Sequence, residues 1–153
     1  MVRSQDELKT MTTIIKARQI FLADPGATLA AGADIAAGLH EGMVVGLSGE
    51  LGTGKTTLVR GMLKALGWAA PVKSPTYTLV ESYELPSLYF YHFDFYRFND
   101  PREWEASGFA EYFRPDSICV IEWPERLGAW LPATDLSLRL EHARNGRTLA
   151  ISA

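Results

Sequence analysis

One cysteine in 153 residues leaves no disulfide to form within the chain, so burial has to hold the fold. That residue, Cys119, lies inside Ile118-Cys119-Val120-Ile121, the setting of a small buried apolar side chain in a reducing compartment rather than of a catalytic thiol. No apolar stretch approaches the ~20 residues of a membrane-spanning helix. The first seven residues, Met1-Val2-Arg3-Ser4-Gln5-Asp6-Glu7, also lack the charged-then-apolar order of a leader, so a cytoplasmic protein with no membrane partner is expected. An excess of positive charge is missing as well. Lys and Arg number 15 against 18 Asp and Glu, a net charge of −3, which speaks against a broad nucleic-acid-binding face. Arg97, Arg102, Arg126, Arg144 and Arg147 are scattered through the second half and read as a solvated surface, with a local basic patch still open. There is no repeat, low-complexity stretch or linker, and a chain of this length suggests one domain.

What the sequence does contain is Gly49-Glu50-Leu51-Gly52-Thr53-Gly54-Lys55-Thr56, which meets every fixed position of the phosphate-binding pattern G-x-x-x-x-G-K-S/T. Glycines let successive backbone N–H groups turn inward around an anion, and the helix that follows aims its positive end at the same phosphates. Lys55 is expected to reach the β- and γ-phosphates and Thr56 to place its hydroxyl on Mg²⁺. The flanks agree. Met43–Ser48 is strand-like, while Leu58, Met62, Leu63 and Leu66 recur at helical spacing up to Gly67, a C-terminal cap. Neither Asn-Lys-x-Asp nor Asp-x-x-Gly occurs, which excludes a Ras-like GTPase and leaves ATP by elimination.

The remaining segments alternate between strand and helix. Thr12–Leu22 reads as a strand ending at Asp24-Pro25, a helix cap followed by a proline suited to the first turn. Ser74–Tyr83 and Leu88–Asp94 read as extended segments joined near Leu85-Pro86-Ser87, and Asn99-Asp100-Pro101 starts a helix running through Trp104 to Phe113. Ser117–Trp123 has the continuous apolar composition of a central strand, and Leu136, Leu138 and Leu140 lead into a closing hairpin with Asn145-Gly146 as a type I′ turn. The expected fold is α/β: a single P-loop NTPase-like domain, with a central mixed sheet, flanking helices and a C-terminal β-hairpin. It would span 12–153 behind a flexible extension over 1–11.

Ligands of such sheets lie at the carboxyl ends of strands, where Ser48, Asp94 and Glu122 should converge. Glu122, ending an apolar strand, is the candidate second acid of the loop site; it either binds the metal or polarises an attacking water. Asp94 lies within an aromatic stretch and is a second functional carboxylate, with His92 on the same strand face. Read alone, His92 is more often structural. Thr76, in Ser74-Pro75-Thr76, is either a γ-phosphate-sensing switch or an ordinary turn residue entering a strand.

Gly49–Thr57, Ser74-Pro75-Thr76-Tyr77, His92-Phe93-Asp94-Phe95-Tyr96-Arg97 and Ile121-Glu122-Trp123-Pro124 together resemble the TsaE (YjeE) family, in order and spacing, over about residues 20–150. The resemblance implies a Mg²⁺-dependent ATPase, weak without its partners, that serves threonylcarbamoylation of the adenosine beside the anticodon in tRNAs reading codons that begin with A. It implies TsaD and TsaB as partners, tRNA contacted only through them, and ATP hydrolysis that resets the complex between rounds. It further implies that Glu50, Leu51, Gly52, Thr53, Gly54, Lys55, Thr56 and Thr57 hold the ATP or ADP phosphates. Thr56 and Glu122 would then hold Mg²⁺, Asp94 would serve turnover, Trp123 would adjoin the site and Arg147 would touch nucleotide. Adenine-side contacts would lie near Asp24–Thr28. Phe95 departs from a common Leu, and residues 1–11 have no counterpart. Two rival readings remain: a small-molecule P-loop kinase, with Arg97 and Arg102 posing as its lid, and a nonhydrolysing nucleotide-bound adaptor.

Overall fold

A computed structural model of the chain describes residues 19–153. The expected extension over 1–11, and the start of the first strand, lie outside the described residues. Among these, seven strands form one mixed sheet in the order β1-β7-β6-β2-β5-β4-β3. They are β1 Gln19–Leu22, β2 Val44–Ser48, β3 Val80–Glu84, β4 Tyr89–Asp94, β5 Ser117–Glu122, β6 Leu136–Ala143 and β7 Gly146–Ser152. β6, β2, β5 and β4 run parallel, and the outer strands β7, β1 and β3 are antiparallel to their neighbours.

The parallel centre explains the apolar run in β5, whose six residues are all buried because both sheet faces are covered. Ile118 and Val120 pack with Val45, Leu47 and Phe90 under two helices, α1 Pro25–Gly38 and α2 Lys55–Ala65. Cys119 and Ile121 face the other way, into Phe93, Phe95, Trp104 and Phe109. Leu58, Val59, Met62 and Leu63 of α2 are fully buried, and burying such a side chain contributes about 1.5–3 kcal/mol.

Helix ends follow their sequence signals. Asp24 caps α1 by accepting the Ala27 N–H at 2.8 Å, with Pro25 in the first turn. Gly67, at φ 105°, closes α2: the Trp68 N–H reaches the Leu63 carbonyl at 2.9 Å and the Gly67 N–H reaches that of Lys64 at 3.2 Å. α1 and α2 cross through glycines. A Cβ on Gly32 would lie 2.2 Å from the Leu58 carbonyl oxygen, and one on Gly61 would lie 2.2 Å from that of Leu29.

Three local expectations are corrected. Residues 74–79 are a turn rather than strand, since Leu79 takes φ 69° and donates its N–H to the Pro75 carbonyl at 2.8 Å; β3 begins at Val80. The helix expected to reach Phe113 is only α3, Glu103–Ser107, because Gly108 at φ 73° breaks it before a 3-10 turn over Phe109–Tyr112. The closing hairpin is present, but Ala143 pairs with Gly146, so its loop is Arg144-Asn145. Only Asn145 there is at positive φ, 63°, which is not type I′. Gly146 serves a different need: a Cβ there would lie 2.5 Å from the Leu22 carbonyl oxygen of β1.

Candidate nucleotide-binding site

The loop from Gly49 to Gly54 joins the end of β2 to α2 beneath the carboxyl edge of the parallel strands. Gly49, Gly52 and Gly54 take φ of 149°, 77° and 101°. At Gly49 a Cβ would also lie 2.5 Å from the Leu140 carbonyl oxygen, so glycine is required twice over. Thr53 is buried and donates its hydroxyl to the Glu50 carbonyl at 2.9 Å, which pins the loop on itself. Gly54 is the residue before α2, and no side chain caps that helix. The helix start thus presents main-chain donors that the protein's own side chains do not cap, next to Lys55, a donor set suited to phosphate.

Lys55 is buried beside its own loop. Its Nζ donates to the carbonyls of Gly49 and, at 3.1 Å, Glu50, lies 4.0 Å from Glu122 Oε1 and sits 4.6 Å from the centre of the Trp123 ring. Burial lowers its pKa, and the charges of Glu122, Asp94 and Glu125 act against that shift. The expected convergence is present. β4 and β5 run parallel with Asp94 opposite Glu122, and Leu47, next to Ser48, is also opposite Glu122. Asp94 accepts the Tyr96 N–H at 2.9 Å and the Thr76 hydroxyl at 3.3 Å, and Thr76 contacts the Ser74 hydroxyl at 2.8 Å. Burial first, and the Glu122 charge after it, raise the Asp94 carboxyl above the ordinary range, opposed by these hydrogen bonds.

His92 is fully buried, and its Nε2 lies 2.5 Å from Glu122 Oε2. Trp123 follows Glu122 in a left-handed conformation, φ 55°, which turns its ring toward Lys55 and to 5.0 Å from Tyr96. Its indole N–H is buried and has no hydrogen-bond partner among the described residues. Thr56 and Thr57 lie in the first turn of α2, both half-buried, while Glu50, Leu51 and Gly52 are on the exposed outer curve of the loop.

Arg147, at the start of β7, donates to the Gly52 carbonyl at 3.3 Å and so reaches the loop from the far edge of the sheet. With Gly52–Gly54, Thr57, Asp24, Thr28 and Asn145 it borders a cavity of about 380 Å³. Sequence reasoning pointed near Asp24–Thr28 but missed Asn145, whose only sequence signal was as a turn residue. It placed His92 on the strand face of Asp94 and, read alone, as structural, and did not foresee its contact with Glu122. The two arginines considered for a lid are engaged elsewhere. Arg102 pairs with Asp100 at 2.7 Å, and Arg97 lies 4.4 Å over the Tyr77 ring. Cys119 is buried, and burial pushes its thiol up to about 12.

A glycine loop between a buried parallel strand and a helix, with a lysine and two strand-end carboxylates beside it, defines a P-loop nucleotide-binding domain. The chain belongs to the TsaE family: the family model described as "Threonylcarbamoyl adenosine biosynthesis protein TsaE" matches residues 22–149. Similar relatives carry the description "tRNA threonylcarbamoyladenosine biosynthesis protein TsaE". One from Haemophilus influenzae is 46% identical over 123 residues, covering 79% of this chain and 78% of the relative. Another from Nostoc is 37% identical over 138 residues, covering 88% and 84%. The crystal structure of Bacillus subtilis YdiB superposes with a TM-score of 0.74 at 29% identity, covering 88% of this chain and 84% of that one.

Proposed function

We propose that this chain is a Mg²⁺-dependent ATPase that assists threonylcarbamoylation of the adenosine beside the anticodon in tRNAs reading codons that begin with A. It would act with TsaD and TsaB, with tRNA reached through that pair. The observation that carries the reading is the meeting of Asp94, Glu122 and Lys55 at the uncapped start of α2. It supplies a cation for phosphates and two carboxylates on the side where a γ-phosphate would point. Membership of a family named for this modification supplies the biological context.

The residues fit a magnesium nucleotide. The main-chain N–H groups at the start of α2, Lys55 and the unpartnered Trp123 N–H are donors for phosphate oxygens. Among the described residues no cluster of three or more His, Cys, Asp or Glu is placed to hold a metal alone. Mg²⁺ characteristically uses one or two carboxylates plus substrate phosphates, a role for Thr56 and Glu122. Bound there, the cation would neutralise charge on the β- and γ-oxygens. Asp94, opposite Glu122 at the end of β4, would then orient water or take its proton. Arg147, Asp24, Thr28 and Asn145 form the nucleoside side, and Glu50–Thr57 the phosphate side.

The proposed domain spans 12–153 and works in the cytoplasm; among the described residues no helix is long and apolar enough to cross a membrane. The test is phosphate release from ATP by the purified chain, alone and with TsaD–TsaB, alongside multiple-turnover modification of tRNA. Phosphate release that rises with TsaD–TsaB, together with multiple-turnover modification that requires hydrolysable ATP, supports the reading. Phosphate appearing on a small molecule, or no hydrolysis with the partners present, would overturn it.

A further inference from the structure

Glu122 has its two carboxylate oxygens committed in different directions. Oε1 faces the Lys55 ammonium at 4.0 Å, while Oε2 lies 2.5 Å from His92 Nε2. A carboxylate oxygen accepts hydrogen bonds, so in this contact His92 Nε2 is the donor. The other ring nitrogen, Nδ1, is buried and has no hydrogen-bond partner among the described residues, which leaves Nε2–Glu122 as the bond that orients the ring. The ring itself cannot wander. His92 is fully buried in β4, opposite Glu81 on one side and Val120 on the other, with both neighbouring strands hydrogen-bonded to its own.

We propose that His92 is a positioning residue for Glu122: its Nε2–H fixes the carboxylate so that Oε1 is turned to the Lys55 end of the loop. The inference rests on the nucleotide reading above and deepens it. Without the imidazole donor, a carboxylate at the end of β5 has rotamer freedom, and Oε1 is no longer held where phosphate and its cation would meet it. Partners that orient a metal-side carboxylate in this way alter metal affinity or activity by about 10- to 100-fold when removed. The 30-residue separation of the pair bridges adjacent strands, so the sheet register itself sets the contact.

Three measurements test it. Nitrogen-15 spectra of the wild-type imidazole should show a proton on Nε2, with the Nε2 signal shifting in Glu122→Gln; an unprotonated Nε2, or no response to Glu122→Gln, overturns the contact without any variant of His92. Next, calorimetry with a non-hydrolysable ATP analogue, with and without Mg²⁺, compares His92→Met, which lacks the donor, with His92→Gln, whose amide N–H falls near Nε2. The Met variant should lose about 10- to 100-fold of the Mg²⁺-dependent gain in affinity and the Gln variant should recover most of it. Equal behaviour of the two variants, or a full Mg²⁺ gain in His92→Met, overturns the proposal. Last, His92→Met placed in the Glu122→Gln background should add no further loss, and an additive loss overturns it. Absence of phosphate release from the wild type would sink the ATPase reading, whereas the spectra and affinities decide His92 independently.

Discussion

Asp94 and Glu122 stand opposite each other in adjacent parallel strands, two buried carboxylates in one register position. They are not equivalent. Glu122 faces the Lys55 ammonium and the His92 ring, whereas Asp94 is held by the Tyr96 N–H and the Thr76 hydroxyl and has its carboxyl raised by burial and by Glu122. The pair therefore divides into one acid tied to Lys55 and His92 and one held by a main-chain N–H and a threonine hydroxyl, the asymmetry on which the proposed division of labour rests.

Asp94→Asn should keep nucleotide bound while hydrolysis falls by about 10²- to 10⁴-fold. The amide keeps an oxygen for the Tyr96 N–H and turns its NH₂ toward Thr76. Because the raised carboxyl means that the folded chain holds this proton more tightly than the unfolded one, the wild type loses stability as pH rises through the carboxylate range. The variant lacks that loss and should be more stable than the wild type at neutral pH. Isothermal calorimetry, phosphate release and urea melts decide it; collapse of binding together with hydrolysis would make Asp94 a nucleotide-holding residue.

Lys55→Ala should weaken ATP binding by about 10- to 150-fold, the equivalent of one charge-assisted contact. Calorimetry reads it directly, and unchanged affinity would remove Lys55 from the phosphate site.

Glu122→Gln should reduce the gain in nucleotide affinity that Mg²⁺ provides, since it removes a charge beside the cation. A titration of affinity against Mg²⁺ concentration is the measurement. A variant that retains the whole gain but loses turnover would move Glu122 to the water side.

Gly61→Ala should destabilise the fold by about 1–3 kcal/mol or more, because the added methyl meets backbone rather than a flexible side chain. A denaturant melt monitored by circular dichroism tests this, and a neutral effect would mean that α1 and α2 separate easily.

Cys119 should resist thiol reagents at pH 8 until the protein unfolds. Its thiol is pushed from an ordinary 9.0 to about 12, so stability should fall as pH rises between those values, where only the unfolded chain sheds the proton. Modification of the native protein at the rate of a free thiol would contradict this.

Where a residue type is demanded by its own backbone, the sequence was readable. Gly49, Gly52 and Gly54, the Asp24-Pro25 cap and the apolar run of β5 all announced their structures. What escaped was set by partners distant in sequence or by one competing conformation. Asn145-Gly146 looked like a turn pair, yet Gly146 is required by the approach of Leu22 in β1. The cap and proline of Asn99-Asp100-Pro101 suggested one helix through Trp104 to Phe113, and Gly108 at positive φ broke it. Residues 74–79 carried β-branched side chains but bend at Leu79. For the site, the loop and both carboxylates were visible, while the bond from His92 to Glu122 depended on a strand register that no local pattern encodes.

The backbone contact between α1 and α2 has a mechanical consequence. α1 begins at Asp24 and Thr28, beside the nucleoside cavity, and α2 begins at Lys55 and Thr56, beside the phosphate loop. With Gly32 and Gly61 seated against opposing carbonyls, these two walls form a single fixed jaw that has no room to slide. Across the loop from that jaw stand the 74–79 turn, Trp123 and the Arg144-Asn145 tip that carries Arg147 to the loop, none of them locked by a backbone contact of this kind between helices.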